Sequence, residues 1–256
     1  MRPSAALCVL LTASPAAPAA IAAPAAEVQT FSYTLLSDDQ AVGKREAGIR
    51  YLPRGRAEVR LLESWTSFDL ALPAARLSFE QRLGARFGGD RTFTSSTRVN
   101  GTVREVQARL GVDGVWSVTV TSGGEAETWT LAGDAVDLTS AELFDPERAL
   151  SLLARSTTLR LLSAETGRVM TGPVATLDPS TLEVGGQRVP VQRFRWTPPE
   201  GPMVLAFAED GYLLAYDWQA VGRLVGARMG SLPAPRTWGG GQAVVDEGVQ
   251  EEGLLP

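Results

Sequence analysis

The strongest constraint on how this chain can fold is a period of two. Leu77, Phe79, Gln81, Leu83, Ala85 and Phe87 alternate with Arg76, Ser78, Glu80, Arg82, Gly84 and Arg86. Read as a strand, the segment has one greasy face and one face with three arginines and a glutamate. Read as a helix, the same residues scatter around the cylinder. Such a strand extends about 35 Å at ~3.3 Å per residue, long enough to curve across a barrel wall. Phe31, Tyr33 and Leu35 repeat the pattern against Ser32 and Thr34, as do Trp116, Val118 and Val120 against Ser117, Thr119 and Thr121.

Turn signals separate these runs. Asn100-Gly101 is the sharpest, because both residues tolerate the positive φ of a type I′ hairpin. Ser37-Asp38-Asp39-Gln40, Pro53-Arg54-Gly55, Val112-Asp113-Gly114, Ser122-Gly123-Gly124, Gly185-Gly186 and Asp210-Gly211 continue the theme. Roughly twelve strand candidates lie between Val28 and Met229, at antiparallel sandwich or barrel spacing. One segment breaks the rhythm. Thr139-Ser140-Ala141-Glu142 fits a capping box, and Asp145-Pro146-Glu147 fits a second helix start. A short helix is expected over Asp145 to Arg155, with Leu150, Leu152 and Leu153 on its apolar side, serving as a lid, a plug or, by preference, packing support.

The first 26 of 256 residues read as a secretion signal. Arg2 supplies the positive start, Ala5 to Thr12 the apolar stretch, and Ala20-Ile21-Ala22 or Ala23-Pro24-Ala25 the small-residue cleavage site. The apolar stretch is too short for a permanent span, and no later one reaches the ~18 residues a transmembrane helix needs. Lipidation of Cys8 is rejected, because Leu7 precedes it and it lies too early. The protein is therefore expected in the periplasm or outside the cell, and not as an integral membrane protein. One antiparallel domain is expected over 27–238, followed by a disordered, acidic, Gly-containing tail over 239–256.

The net charge is −5, and loss of the leader leaves 23 basic against 29 acidic side chains. Without a basic run, neither nucleic acid nor an anionic lipid surface is favoured. Arg193-Phe194-Arg195-Trp196 could stack on bases, but the charge and the exported location argue against it. Hydrophobic residues make up 44%, enough for a real core.

Absent residue types exclude more chemistry than present ones suggest. Histidine is missing and the sole Cys8 falls in the leader. Ser-His-Asp and Cys-His catalysis, thiolate zinc sites, imidazole-bound metals and disulfides are thereby excluded. No cofactor motif, EF-hand spacing, Walker loop or dinucleotide fingerprint is present. Lys44, the sole lysine, sits in an exposed setting unsuited to a Ser-Lys dyad. A two-carboxylate hydrolase remains open in principle, with Glu63, between Leu62 and Trp65, its most interesting member. Asp38-Asp39 reads as a solvated turn, and Asn100-Gly101-Thr102, a glycosylation sequon, is explained by its turn.

Tryptophans 65, 116, 129, 196 and 218 fall in strand candidates and Trp238 borders the tail. Aromatic residues facing into a partly open barrel make an apolar ligand wall, while the same residues facing a filled core make an ordinary β fold. Phe79, Leu83, Phe87, Trp116, Val118, Trp129 and Phe207 are the candidate lining residues, for a lipid or other apolar small molecule. The alternatives are an envelope structural or protein-interaction module and, more weakly, the hydrolase. An outer-membrane barrel fits worst, because the outward face of the longest strand carries Arg76, Glu80, Arg82 and Arg86.

The order of segments from Leu161 to Arg168, Leu182 to Val184, Arg188 to Phe194, Met203 to Phe207 and Asp210 to Leu213 resembles secreted bacterial β-rich proteins of uncharacterised function. Their strand pairs end in an apolar strand, acidic-Gly, apolar strand hairpin. The resemblance implies a mainly β fold, a curved antiparallel sheet or incomplete barrel with one short helix, and transfers no catalytic residue.

Overall fold

The computed structural model describes residues 27–54, 57–72, 75–88, 90–219 and 224–229. The expected leader and the tail from 239 onward lie outside them. The described residues form strands β1 (Glu27–Ser37), β2 (Gln40–Arg54), β3 (Ala57–Leu72), β4 (Ala75–Phe87), β5 (Thr92–Val99), β6 (Thr102–Leu110), β7 (Val115–Ser122) and β8 (Glu125–Ala132). After a connecting segment come β9 (Leu138–Thr139), a 3-10 helix (Ser140–Phe144) and helix α1 (Ala149–Leu153). The chain closes with β10 (Thr158–Leu162), β11 (Val169–Val184), β12 (Gln187–Trp196), β13 (Met203–Ala208), β14 (Leu213–Trp218) and β15 (Leu224–Met229). The strands exceed the dozen legible by alternation because β9 has two residues and β13 is buried on both faces from Leu205 to Ala208.

All fifteen strands belong to one sheet, ordered β8-β7-β6-β5-β4-β3-β2-β1-β15-β14-β13-β12-β11-β10-β9. Two hairpin meanders meet where β1 pairs antiparallel with β15, and β9 with β10 is the one parallel pair. Laid flat, fourteen spacings of ~4.8 Å would set the two edge strands roughly 67 Å apart. Yet only Gly133–Asp137 separates β8 from β9, a reach of about 20 Å at full extension. The sheet must curl, and it forms the expected mainly β half-barrel. Asn100 and Gly101, at φ 50° and 86°, make the anticipated turn between β5 and β6.

The segment from β9 to the β10–β11 turn packs inside this curl. Thr139 and Glu142 form the capping box: Glu142 N donates to Thr139 Oγ1 (3.3 Å) and Thr139 N donates to Glu142 Oε2 (2.7 Å). It opens the 3-10 helix, not an α-helix. The expected helix over Asp145 to Arg155 shortens to α1, because Asp145 is held toward β3 by Arg60 Nη2 (3.0 Å) and the chain turns before coiling. Gly167, at φ +68°, ends the inner turn. A Cβ there would lie 2.5 Å from a Val120 methyl, so only glycine lets this turn seat against β6 and β7.

The main core forms between this insert and the inner face of the sheet. Tyr33, Ile49, Leu62, Phe93, Val106 and Trp116 of the first meander meet Leu138, Leu153, Leu159, Phe194 and Phe207. Glu142 is only 1% exposed and is met by Arg91, with Nε–Oε1 at 2.8 Å and Nη2–Oε2 at 2.6 Å. Such fork-to-fork pairs fix geometry as well as charge. Arg160 closes on Asp137 in the same way, at 2.7 Å and 3.1 Å. Burial would raise the Asp137 carboxyl, but the hydrogen bonds and charge of Arg160 bring it below its ordinary value. No described helix is long and apolar enough to cross a membrane.

Two outcomes test this arrangement. Arg91→Met leaves the buried Glu142 carboxylate with only the Thr139 N–H and a longer contact to Arg148 at 3.4 Å, and should destabilise the protein by about 3 kcal/mol, with most of that recovered in Arg91→Met/Glu142→Gln; urea unfolding of both variants measures it. Burial pushes the Asp145 carboxyl from 3.8 up to about 6, with Arg60 opposing and Glu142 reinforcing. A folded pKa above the unfolded one favours the protonated fold. The stabilisation is full below about pH 4 and is lost as pH rises through 6. Relative to Asp145→Asn, the native chain should lose about 2–3 kcal/mol between pH 4 and pH 7.5, read from denaturation curves across that range.

Candidate functional site

The inner face of the half-barrel has two apolar zones with a polar row between them. Strand register sets the rows. Arg45 of β2 pairs with Thr66 of β3, Thr66 with Gln81 of β4, Gln81 with Thr97 of β5, and Thr97 with Arg104 of β6. On one side of this row lies the main core. On the other, Leu35, Phe68 and Leu70 form a second cluster with Val42, Leu72, Leu77, Phe79 and Tyr216 around it. Phe68 and Phe79 stack with ring centroids 4.8 Å apart.

The insert fills the main zone and stops short of the second. It leaves a hollow of about 380 Å³ lined by Phe68, Leu70, Leu77, Phe79, Thr97, Val99, Thr102, Arg104, Glu165 and Trp218. A smaller space of about 100 Å³ shares Phe68, Phe79, Glu165 and Trp218, and adds Arg45, Thr66, Gln81, Phe144 and Tyr216. Together they make an apolar-walled hollow with a polar floor, of a size that small-molecule sites occupy.

Three ionisable side chains meet at the floor. The Arg45 guanidinium lies 4.3 Å from the centre of the Phe144 ring and hydrogen-bonds Tyr216. Its Nε is buried with no hydrogen-bond partner. Glu165 comes from the inner β10–β11 turn, where its backbone N–H donates to Ser163 Oγ at 3.1 Å. Burial pushes the Glu165 carboxyl up, and the charge of Arg45 offsets part of that. Burial also raises the Tyr216 phenol, opposed by Arg45 and reinforced by Glu165. Tyr216 faces Gly226 across the β14–β15 pair, and a Cβ on Gly226 would fall 2.4 Å from its ring. The ring therefore lies over the glycine, which aims the phenol at Arg45.

Of the seven residues proposed from sequence, Phe79 lines the hollow. Leu83, Phe87, Trp116, Val118 and Phe207 lie in the closed main core, and Trp129 packs against its margin. Arg91 sits over the Trp116 ring at 5.0 Å, and Phe207 meets Phe194 edge to face. Trp218 is one of the strand tryptophans seen in the sequence, whereas Arg45, Glu165 and Tyr216 stand in no local pattern that marks them. One signal was available: Gln81 interrupts the apolar register of β4, and it marks the polar row. Glu63 is exposed on the outer face of β3. There it joins a shallow trough of about 1280 Å³ with Trp65, Arg82, Thr94 and Gln107. Among the described residues no cluster of three or more acidic side chains could hold a metal ion.

No protein-family model matches the chain, and no curated protein matches it. Among solved structures, the fold is similar to the crystal structure of a β-barrel-like protein of Domain of Unknown Function DUF1849 from Brucella abortus. The TM-score is 0.51 at 14% identity, over 78% of this chain and 94% of that one. At this identity the likeness concerns fold alone.

Gly226 and Gly84 differ in what an added side chain would meet. Gly226→Ala should cost about 1–3 kcal/mol through collision with Tyr216. Gly84→Ala, whose Cβ would meet nothing closer than Thr94 Oγ1 at 3.6 Å, should leave the melting temperature unchanged or raise it. Thermal denaturation of the two variants separates them.

Proposed function

We propose that the protein is an exported, non-catalytic binding protein that holds a lipid or other apolar molecule in the hollow of its curled sheet. The observation that carries this reading is the second apolar zone. Phe68, Leu70, Leu77, Phe79, Val99 and Trp218 surround space that the protein's own insert leaves open. Apolar walls facing a void forfeit dispersion contacts, and a ligand chain restores them. The composition points the same way: a chain whose only cysteine lies in the expected leader, and which has no histidine, lacks the thiol nucleophile and the imidazole proton carrier. Export rests on the leader pattern of residues 1–26.

A second reading, an envelope interaction module, draws on the outer trough. Trp65 is half-buried there, with Lys44 Nζ 5.0 Å from its ring. Trp65→Ala would then weaken partner association while leaving ligand binding in the hollow intact.

The first reading is tested by solvent extraction and mass spectrometry of the purified protein, with titration of a long-chain aliphatic probe against tryptophan fluorescence. Leu77→Trp, which places a larger ring in the hollow, should weaken probe binding about tenfold or more without unfolding the protein. A protein that carries no apolar ligand and binds no probe would end the proposal. Export predicts that cell fractionation finds the protein outside the cytoplasm, with an N-terminus near Glu27.

A further inference from the structure

Three buried or partly buried ion pairs in this fold close by direct contact: Arg91 on Glu142 at 2.6 Å, Arg160 on Asp137 at 2.7 Å and Arg60 on Asp145 at 3.0 Å. Arg45 and Glu165 do not. They face one space, and Glu165 feels the charge of Arg45, yet no ion-pair or hydrogen-bonding contact joins them. The guanidinium lies over Phe144 and bonds Tyr216, while the Glu165 backbone is held in the inner turn by Ser163 Oγ. Arg45 keeps a buried N–H without an acceptor, and the Glu165 side chain lines the same space, half-buried. A buried guanidinium N–H without an acceptor is costly unless something in the space supplies one.

Resting on the reading of the hollow as a ligand site, we propose that the ligand's polar end lies between Arg45 and Glu165. The ligand is then a single-chain amphiphile with an uncharged head that accepts a hydrogen bond from the guanidinium and donates one to the carboxylate, as a long-chain alcohol or primary amide does. Polarity inside the hollow is segregated as such a molecule requires. Leu70, Leu77, Phe79 and Val99 flank the space for the chain, and the polar row underlies the head. A volume of about 380 Å³ is near the lower end of the ~300–1,000 Å³ of small-molecule sites, which suits one chain better than several. The charged groups lining the two spaces are Arg45, Arg104, Glu165 and Glu200, and they balance. An anionic head meets Glu165 and a cationic head meets Arg45, each at a Coulombic cost that a neutral head avoids. Bare hydrocarbon leaves both groups unsatisfied.

The test is a matched series on the full protein: 1-decanol, decanamide, decanoate, decyltrimethylammonium and decane, titrated at pH 7.5 by tryptophan fluorescence and calorimetry. Decanol and decanamide should bind about tenfold or more tighter than the other three. Glu165→Gln, which removes the negative charge at constant shape, should raise decanoate affinity about tenfold. Arg45→Met should erase the preference for decanol over decane, with melting curves showing that both variants fold. If all five chains bind alike, the hollow takes chains without reading heads, and this inference falls while the binding function stands. If decanoate is preferred and Glu165→Gln leaves it unchanged, the head is anionic and the inference also falls. If no member binds, the binding function falls and takes the inference with it.

Discussion

A fifteen-stranded sheet whose two edges are tied by five residues has to roll up. That tether, from Ala132 to Leu138, is the constraint on which the rest of the architecture depends. Rolling brings the inner faces of both meanders toward one axis and creates a volume that side chains alone must fill. Pairing β1 with β15 closes the seam between the meanders, so the chain reaches the middle of its sheet at both ends of the described region. The free edges are left to the short β9 and to β8, whose exposed Glu125, Glu127 and Thr128 discourage further pairing.

The insert that follows the tether decides what becomes of the enclosed volume. Its Glu142 and Asp145 carboxylates are buried, and each is met by an arginine reaching in from the first meander. These contacts fix where the insert sits more than they add net stability, because the desolvation of buried charges consumes much of their attraction. Seated there, the insert covers the zone around Trp116 and Phe207 and presents Glu165 at its inner turn. It does not extend over Phe68, Leu70, Leu77 and Phe79. A filled core and an open hollow thus coexist on one sheet face, and the polar row from Arg45 to Arg104 marks their boundary.

The hollow follows from this unequal filling. Phe68 and Phe79 stack in its wall, with ring centroids 4.8 Å apart. The floor is likewise held, by the Phe144 ring beneath Arg45 and by Gly226 beneath Tyr216.

Period-two alternation determined that the long segments pair as strands, which side chains share a face, and that Asn100-Gly101 turns a hairpin, since these depend on local geometry. It also placed a break at Thr139–Glu142, where the capping box formed. Which apolar positions would be packed and which would border empty space was not legible. Phe79 and Phe87 stand in one alternating run and are chemically alike, yet one lines the hollow and the other lies in the closed core. Likewise nothing near Arg45 or Glu165 in the chain links them across 120 positions. Their confrontation arises only when the curl of the sheet sets β2 opposite the inner β10–β11 turn. The sequence by itself determined the faces, because alternation is a property of a single strand. The tertiary structure alone decided what each face meets, because filling depends on how far the insert reaches across a rolled sheet.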